Sequence, residues 1–237
     1  MMLYLLHGWG FNGGVFADLM AGLAPAQALD LPGHGGAPYA DGDWDLAHLA
    51  DRLAAHHPEP AAWLGWSLGG MVALTLAMRH PACVDRLVLV ATPPRFTAAP
   101  DWPAGMPEET LTAFGDNLVK DPQGTLKRFL TLQAGISDKA VVRQLVGHLK
   151  AHGAADARAL AAGLAVLRDT DLRGQLAPVR CPALIIQGAH DRLVPSEAAR
   201  YLTAHLRGAR CLPIGSGHAP FLSAPAAFTA AVRDFLA

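Results

Sequence analysis

Gly65-Trp66-Ser67-Leu68-Gly69 sets a serine between two glycines, each one residue removed from it. That spacing suits a tight strand-to-helix turn in which the flanking positions must be small and the serine hydroxyl projects above the turn. A hydroxyl so presented attacks a carbonyl once a base removes its proton and a carboxylate orients the base. Further along, Gly188-Ala189-His190-Asp191 and Gly215-Ser216-Gly217-His218 each carry an ionisable residue in a glycine-bearing loop. Serine, then aspartate, then histidine, each after an apolar run, is the chain order this turn requires. Ser67 is therefore the expected nucleophile, Asp191 the acid and His218 the base. The competing reading is a glycine-rich turn whose serine only caps the following helix. Of eleven histidines, His218 alone stands in a glycine-rich loop just before the last helix.

An acyl-transfer site also needs donors for the developing oxyanion. The Leu68 amide, at the start of a helix, is one; the other is expected from His7-Gly8-Trp9-Gly10-Phe11-Asn12, with the Trp9 amide the natural candidate. The Trp9 side chain either walls the acyl site or packs in the core, and the sequence leaves both open. His7 and His34 are read as loop braces, and Asp30 as structural in its Asp-Leu-Pro-Gly turn. His190 is a weaker base than His218, because choosing it leaves His218 unexplained. Cys83 and Cys181 are expected to be buried, inert thiols. His56-His57 lacks a third ligand nearby in sequence, so no metal is expected, and no cofactor.

Apolar runs at 3–6, 27–31, 61–64, 86–91, 183–186 and 210–214 read as the strands that position these loops. Helical patterns between them imply a mostly parallel α/β sheet covered on both faces. From Phe96 to Gln175 the strand rhythm stops and helical patches take over, at Thr125 to Gln133, Lys139 to His152 and Asp156 to Arg168. The economical division is a core of 1–95 and 176–237 carrying a helical lid at 96–175. At 237 residues, 51% hydrophobic and 16% charged against a typical ~25%, the chain has a sizeable core to bury. A net charge of -1 gives no global field toward nucleic acid or an anionic membrane. Three cysteines without metal-like spacing fit a reducing compartment. The apolar start, 1–6, is far shorter than the ~20 residues of a membrane span and lacks a signal-peptide pattern, so a cytoplasmic protein is expected.

With these pieces placed, the chain resembles the α/β-hydrolase superfamily over nearly its whole length. Within it, the chain is similar to the pimeloyl-[acyl-carrier protein] methyl ester esterases of biotin synthesis. The resemblance is carried by Leu-Leu-His-Gly-Trp-Gly (5–10), Asp-Leu-Pro-Gly (30–33) and Trp-Leu-Gly-Trp-Ser-Leu-Gly-Gly (63–70). Arg-Phe-Leu-Thr-Leu-Gln (128–133), Thr-Asp-Leu-Arg (170–173) and Gly-His-Ala-Pro-Phe (217–221) support it. It implies a Ser67, Asp191 and His218 triad, with oxyanion donors from the Trp9 and Leu68 backbone. It further implies a lid that meets an acyl-carrier protein bearing the pimeloyl methyl ester. There Arg128 would contact the carrier and Phe129 would lie near the acyl channel, with Lys139 and Arg143 matching further basic positions across a gap. A monomer is expected.

Two departures stand out. This chain begins almost at the strand before His-Gly-Trp-Gly, so the sheet is expected to be a strand or two shorter and to expose an edge. Gly124 also stands where the family has a basic residue four positions before Arg128. Between Gly124 and Lys150, Lys127, Arg128, Lys139, Arg143 and Lys150 face one acid, Asp138, a local excess suited to an acidic partner. A broad esterase for short acyl esters, an acyltransferase with the same triad, and a small-ligand binder on the same scaffold are the alternatives. Three intact catalytic residues weigh against the binder.

Overall fold

The computed structural model of the chain describes every residue except 41, 122–123, 126–127, 130–138 and 154. Its centre is a sheet of β1 (Leu3–Leu6), β2 (Ala26–Leu29), β3 (Ala61–Trp66), β4 (Val84–Val90), β5 (Ala183–Gln187) and β6 (Arg210–Pro213). The strands lie in the order β2-β1-β3-β4-β5-β6, and all five pairings are parallel. This is the expected α/β-hydrolase architecture, with β2 and β6 at the two edges of the sheet.

Side chains alternate between two cores, as a period of two residues demands. Leu87, Leu89, Ala183 and Ile185 face one, with Trp63. Val88, Val90, Leu184 and Ile186 face the other, with Leu64 and Trp66. Helices α2 (Leu46–His56) and α3 (Leu68–Arg79) contribute Leu49, Ala50, Met71 and Val72 to the first layer. Helix α1 (Ala17–Ala21) supplies Leu19 to the second. Because both faces are covered, the inner strands read as continuous apolar runs rather than alternating ones. Leu64 and Leu87 are fully buried, and at ~25 cal/mol per Å² each such side chain contributes ~1.5–3 kcal/mol.

The chain runs from β1 to β2 on one side, then returns to β3 on the other. In open parallel sheets the crevice at such a reversal, beyond the carboxyl ends of the strands, is where ligands bind. The loops after β1, β3, β5 and β6 all open there.

Between β4 and β5 lie α4 (Glu108–Lys120), α5 (Lys139–His152) and α6 (Ala157–Asp169). Only isolated bridges occur in this stretch among the described residues, as at Arg95 with Asp171. The expected helix over Thr125 to Gln133 falls mostly outside the described residues, as do Lys127 and Asp138; 124–125 and 128–129 are helical. Helix α4 was not evident from periodicity. Two threonines, Gly115, Asp116 and Asn117 depress its propensity, and only Leu111 and Leu118 are buried. Glu108 and Glu109 in its first turn complement the helix dipole. After β5 follow α7 (Ser196–His205), α8 (Pro220–Ser223) and α9 (Pro225–Leu236).

Candidate active site

Ser67 joins β3 to α3 with φ 55° and ψ -117°, a conformation that costs a non-glycine residue ~1–3 kcal/mol. The neighbours impose it. A Cβ on Gly65 would lie 2.4 Å from the Gly69 carbonyl oxygen, and one on Gly69 would lie 2.3 Å from the Leu6 carbonyl oxygen. Both positions therefore exclude every other residue, and α3 presses end-on against β1. The Ser67 amide donates to the Val90 carbonyl at 2.9 Å, tying the turn to β4. The Ser67 side chain makes no capping bond to α3, and among the described residues its hydroxyl makes no hydrogen bond at all. The serine is thus held in a strained turn without serving as a cap.

The loops after β5 and β6 are joined to each other. Ile214 N–H donates to Gln187 O at 3.0 Å, Ala189 N–H to Gly215 O at 3.2 Å and His190 N–H to Ser216 O at 2.6 Å. A Cβ on Gly188 would meet the Gly217 carbonyl at 1.9 Å, so the two loops touch backbone to backbone. That contact brings His218 Nδ1 to 2.8 Å from Asp191 Oδ2, with both side chains 1% exposed. Asp191 Oδ1 accepts the Leu193 and Val194 amides at 2.9 and 3.0 Å. With Nδ1–H donated to the carboxylate, Nε2 is left as the basic nitrogen.

Trp66, beside the serine, reaches across to this pair. Its indole N–H donates to the His218 carbonyl at 2.8 Å, and its ring packs against Phe11 and Phe221. The tryptophan flanking Ser67 therefore anchors the histidine loop to the serine turn. Hydrogen bonds between nucleophile and base are often long without substrate; here Ser67 and His218 are brought to one crevice without one.

The amides of Trp9 and Leu68, the expected oxyanion donors, are both free of hydrogen bonds among the described residues. The Trp9 loop abuts the serine, since a Cβ on Gly8 would lie 3.4 Å from Ser67 Cβ. The Trp9 side chain is buried and its indole N–H donates to Leu160 O in α6 at 2.9 Å. Phe114 and Phe129 stack edgewise on it at 5.5 and 4.9 Å between ring centres. It thus packs in the core beneath the helices between β4 and β5. Phe129, with Phe96, Met106, Phe114, Leu164 and Leu193, lines an apolar cavity of about 40 Å³.

Arg128, Lys139 and Arg143 are all exposed. Arg128 stands 3.9 Å from Asp121, an exposed pair of little energetic weight. Helix α5, which carries Lys139 and Arg143, packs against the 3-10 turn Gly13–Phe16 and α8, both bordering the crevice.

His7 and His34 brace loops, as expected. His7 Nε2 accepts the Leu31 amide at 2.9 Å, and His34 Nδ1 donates to Pro32 O at 3.0 Å. Burial lowers the pKa of both, and their proximity lowers that of His7 further. Asp30 is structural too, its carboxylate accepting the Gly13 and Gly36 amides at 2.7 and 2.9 Å. His190 is exposed. Cys83 is buried; Cys181 is only partly so, against expectation, though burial still pushes its thiol up to about 11. Among the described residues no three of His, Cys, Asp and Glu converge as a metal site would need, and no helix is long and apolar enough to cross a membrane.

One polar contact escaped the sequence reading. Gln187, the last residue of β5, is buried and donates through Nε2 to Asp191 Oδ2 at 3.1 Å and to Val194 O at 2.9 Å. The available signal was a single polar residue ending an otherwise apolar strand, Ala-Leu-Ile-Ile-Gln.

The chain matches the family model described as "Alpha/beta hydrolase family" over residues 3–232. It is 42% identical over 241 residues to the pimeloyl-[acyl-carrier protein] methyl ester esterase of Xanthomonas campestris pv. campestris (strain B100), covering 99% of this chain and 94% of that one. The chain belongs to the alpha/beta hydrolase family, among the pimeloyl-[acyl-carrier protein] methyl ester esterases. The esterase of that name from Edwardsiella ictaluri (strain 93-146) is 43% identical over 239 residues, covering 98% and 92% of the two chains. Among solved structures of this fold, an esterase from Exiguobacterium antarcticum superposes with a TM-score of 0.90 at 23% identity, covering 100% and 91%. A hydrolase from Pseudomonas aeruginosa PA01 gives 0.82 at 27%, covering 99% and 89%.

Proposed function

We propose that this alpha/beta hydrolase is a serine esterase that removes the methyl ester of pimeloyl-[acyl-carrier protein], releasing methanol in biotin synthesis. The observation that carries the reading is the Asp191–His218 pair beside an uncapped, strained Ser67, in a chain about 42% identical to esterases of that name. Ser67 Oγ attacks the ester carbonyl while His218 Nε2 takes its proton. The oxyanion develops toward the Trp9 and Leu68 amides, whose freedom from other partners suits that task. His218 then gives the proton to the departing methoxide, leaving an acyl-Ser67. Water, deprotonated by His218, attacks the acyl group, and the proton returns to Ser67 as the free carboxylate leaves.

The segment 96–175 acts as a lid subdomain on the core of 1–95 and 176–237. Arg128, Lys139 and Arg143 on it supply positive charge for an acidic carrier protein, and Phe129 borders the acyl path. The five basic residues against one acid between 124 and 150 favour carrier docking over the broad-esterase alternative.

Labelling with a fluorophosphonate tests the chemistry directly. The adduct is expected on the peptide containing Ser67, and to be lost in His218→Ala. Labelling of another residue would remove Ser67 from the role of nucleophile.

A further inference from the structure

We infer that Gln187 is a positioning residue for the Asp191–His218 pair, setting how strongly the acid holds the base. The proposal rests on the esterase reading above and deepens it. Asp191 Oδ1 is occupied by two backbone amides, whereas Oδ2 is shared by His218 Nδ1 at 2.8 Å and Gln187 Nε2 at 3.1 Å. Four donors thus meet a carboxylate with 1% exposure, a set that satisfies the anion. The second Gln187 N–H is fixed on Val194 O at 2.9 Å, and among the described residues Oε1 is buried without a partner. Turning the amide over would set Oε1 against two acceptors, Asp191 Oδ2 and Val194 O. The fold therefore accepts one unpaired oxygen to keep an N–H on the acid, the reverse of what packing alone favours.

A donor sharing Oδ2 draws charge from the oxygen that the imidazolium would otherwise hold alone. Without it, Oδ2 binds protonated His218 more tightly, and the base becomes available only at higher pH. Ionisable groups near the pair come from its own loop and from the elements packed on it. His190 and Arg192 of the same loop are exposed, while the 3-10 turn Gly13–Phe16 and α8 contribute none. Helix α5, packed over both, carries Lys139, Arg143, His148, Lys150 and His152, and α7, packed on β5, carries Glu197, Arg200, Tyr201 and His205.

The test is the pH profile of kcat/KM for a short aryl ester with wild type, Gln187→Met and Gln187→Glu, each checked for folding by circular dichroism. Gln187→Leu replaces the methionine variant if that does not fold. In Gln187→Met the acid-side limb is expected to move up by about half to one pH unit, with kcat down about tenfold and KM unchanged. Gln187→Glu is expected to lie between wild type and Gln187→Met, because a carboxyl buried against the Asp191 carboxylate keeps a proton and donates it to Oδ2. A limb that stays in place in Gln187→Met, or a glutamate variant worse than methionine, would overturn the role of Gln187 while leaving the esterase reading intact. Wild-type protein without Ser67-dependent turnover would overturn both.

Discussion

Trp66 shows how far a single side chain beside the nucleophile can organise the site. Its indole N–H meets the His218 carbonyl at 2.8 Å while its ring fills the space beneath that loop. Trp66→Phe removes the donor and leaves a buried carbonyl and a small void, at a cost of about 2–4 kcal/mol. The urea midpoint is expected to fall accordingly, and kcat for a short ester by about ten- to a hundredfold at constant KM. An unchanged kcat would mean the His218 loop holds its place unaided. At this scale much of the site is legible in the sequence. Ser67, Asp191 and His218 are polar residues at the ends of apolar runs, set among glycines whose need the structure explains: Gly65, Gly69 and Gly188 each face a backbone too near for any Cβ. Gln187 was not legible. It is still part of its strand, and only the return of the loop at 191–194 makes its amide a partner of the acid.

The helices between β4 and β5 are joined to the core at both ends. Arg95, just past β4, pairs with Asp171 at 2.9 Å, and Arg173 reaches Asp171 at 2.8 Å and Asp101 at 3.0 Å. Arg173 and Arg95 together hold the Asp171 carboxyl far below the usual carboxylate range. Asp171→Asn is expected to lower stability by about 1–2 kcal/mol in urea unfolding, while short-ester turnover changes less than twofold. A large loss of turnover would mean that this clamp also shapes the active site. The Thr-Asp-Leu-Arg segment was visible in the sequence as a motif, but its pairing with Arg95 spans 76 positions and no local pattern encodes it. Carrier docking belongs to the same scale. Arg128→Glu is expected to raise KM for the carrier-linked ester about tenfold at low salt, fading toward 0.5 M salt on the order of a Debye length of ~4 Å, with no change for a small ester. Equal losses on both substrates would remove Arg128 from docking.

For the molecule as a whole, the alternation of strand and helix patterns located all six strands to within about two residues, because buried parallel strands are the strongest apolar runs in the chain. The sheet order was not readable, since pairing depends on crossovers rather than on any strand's own sequence. The two cores also hide ionisable groups. His7 and His34 are kept neutral by burial, with pKa values lowered from the ordinary 6.5. An unfolded chain takes up protons at these positions below about pH 6.5, which the folded chain resists. Stability is therefore present above that pH and declines as pH falls toward the lowered folded values. Urea midpoints at pH 7.5, 6 and 5 should decrease in that order, less steeply in His34→Gln; a midpoint flat from pH 7.5 to 5 would contradict the neutral assignment. The measurement that bears most directly on function is mass spectrometry of pimeloyl-carrier-protein methyl ester after incubation with wild type and Ser67→Ala, with a short aryl ester alongside. The expected result is loss of the methyl group with the thioester intact, faster than aryl-ester hydrolysis and reduced at least about a thousandfold in a Ser67→Ala protein that still folds. Methyl loss that survives in Ser67→Ala, or turnover of the aryl ester alone, would contradict the account.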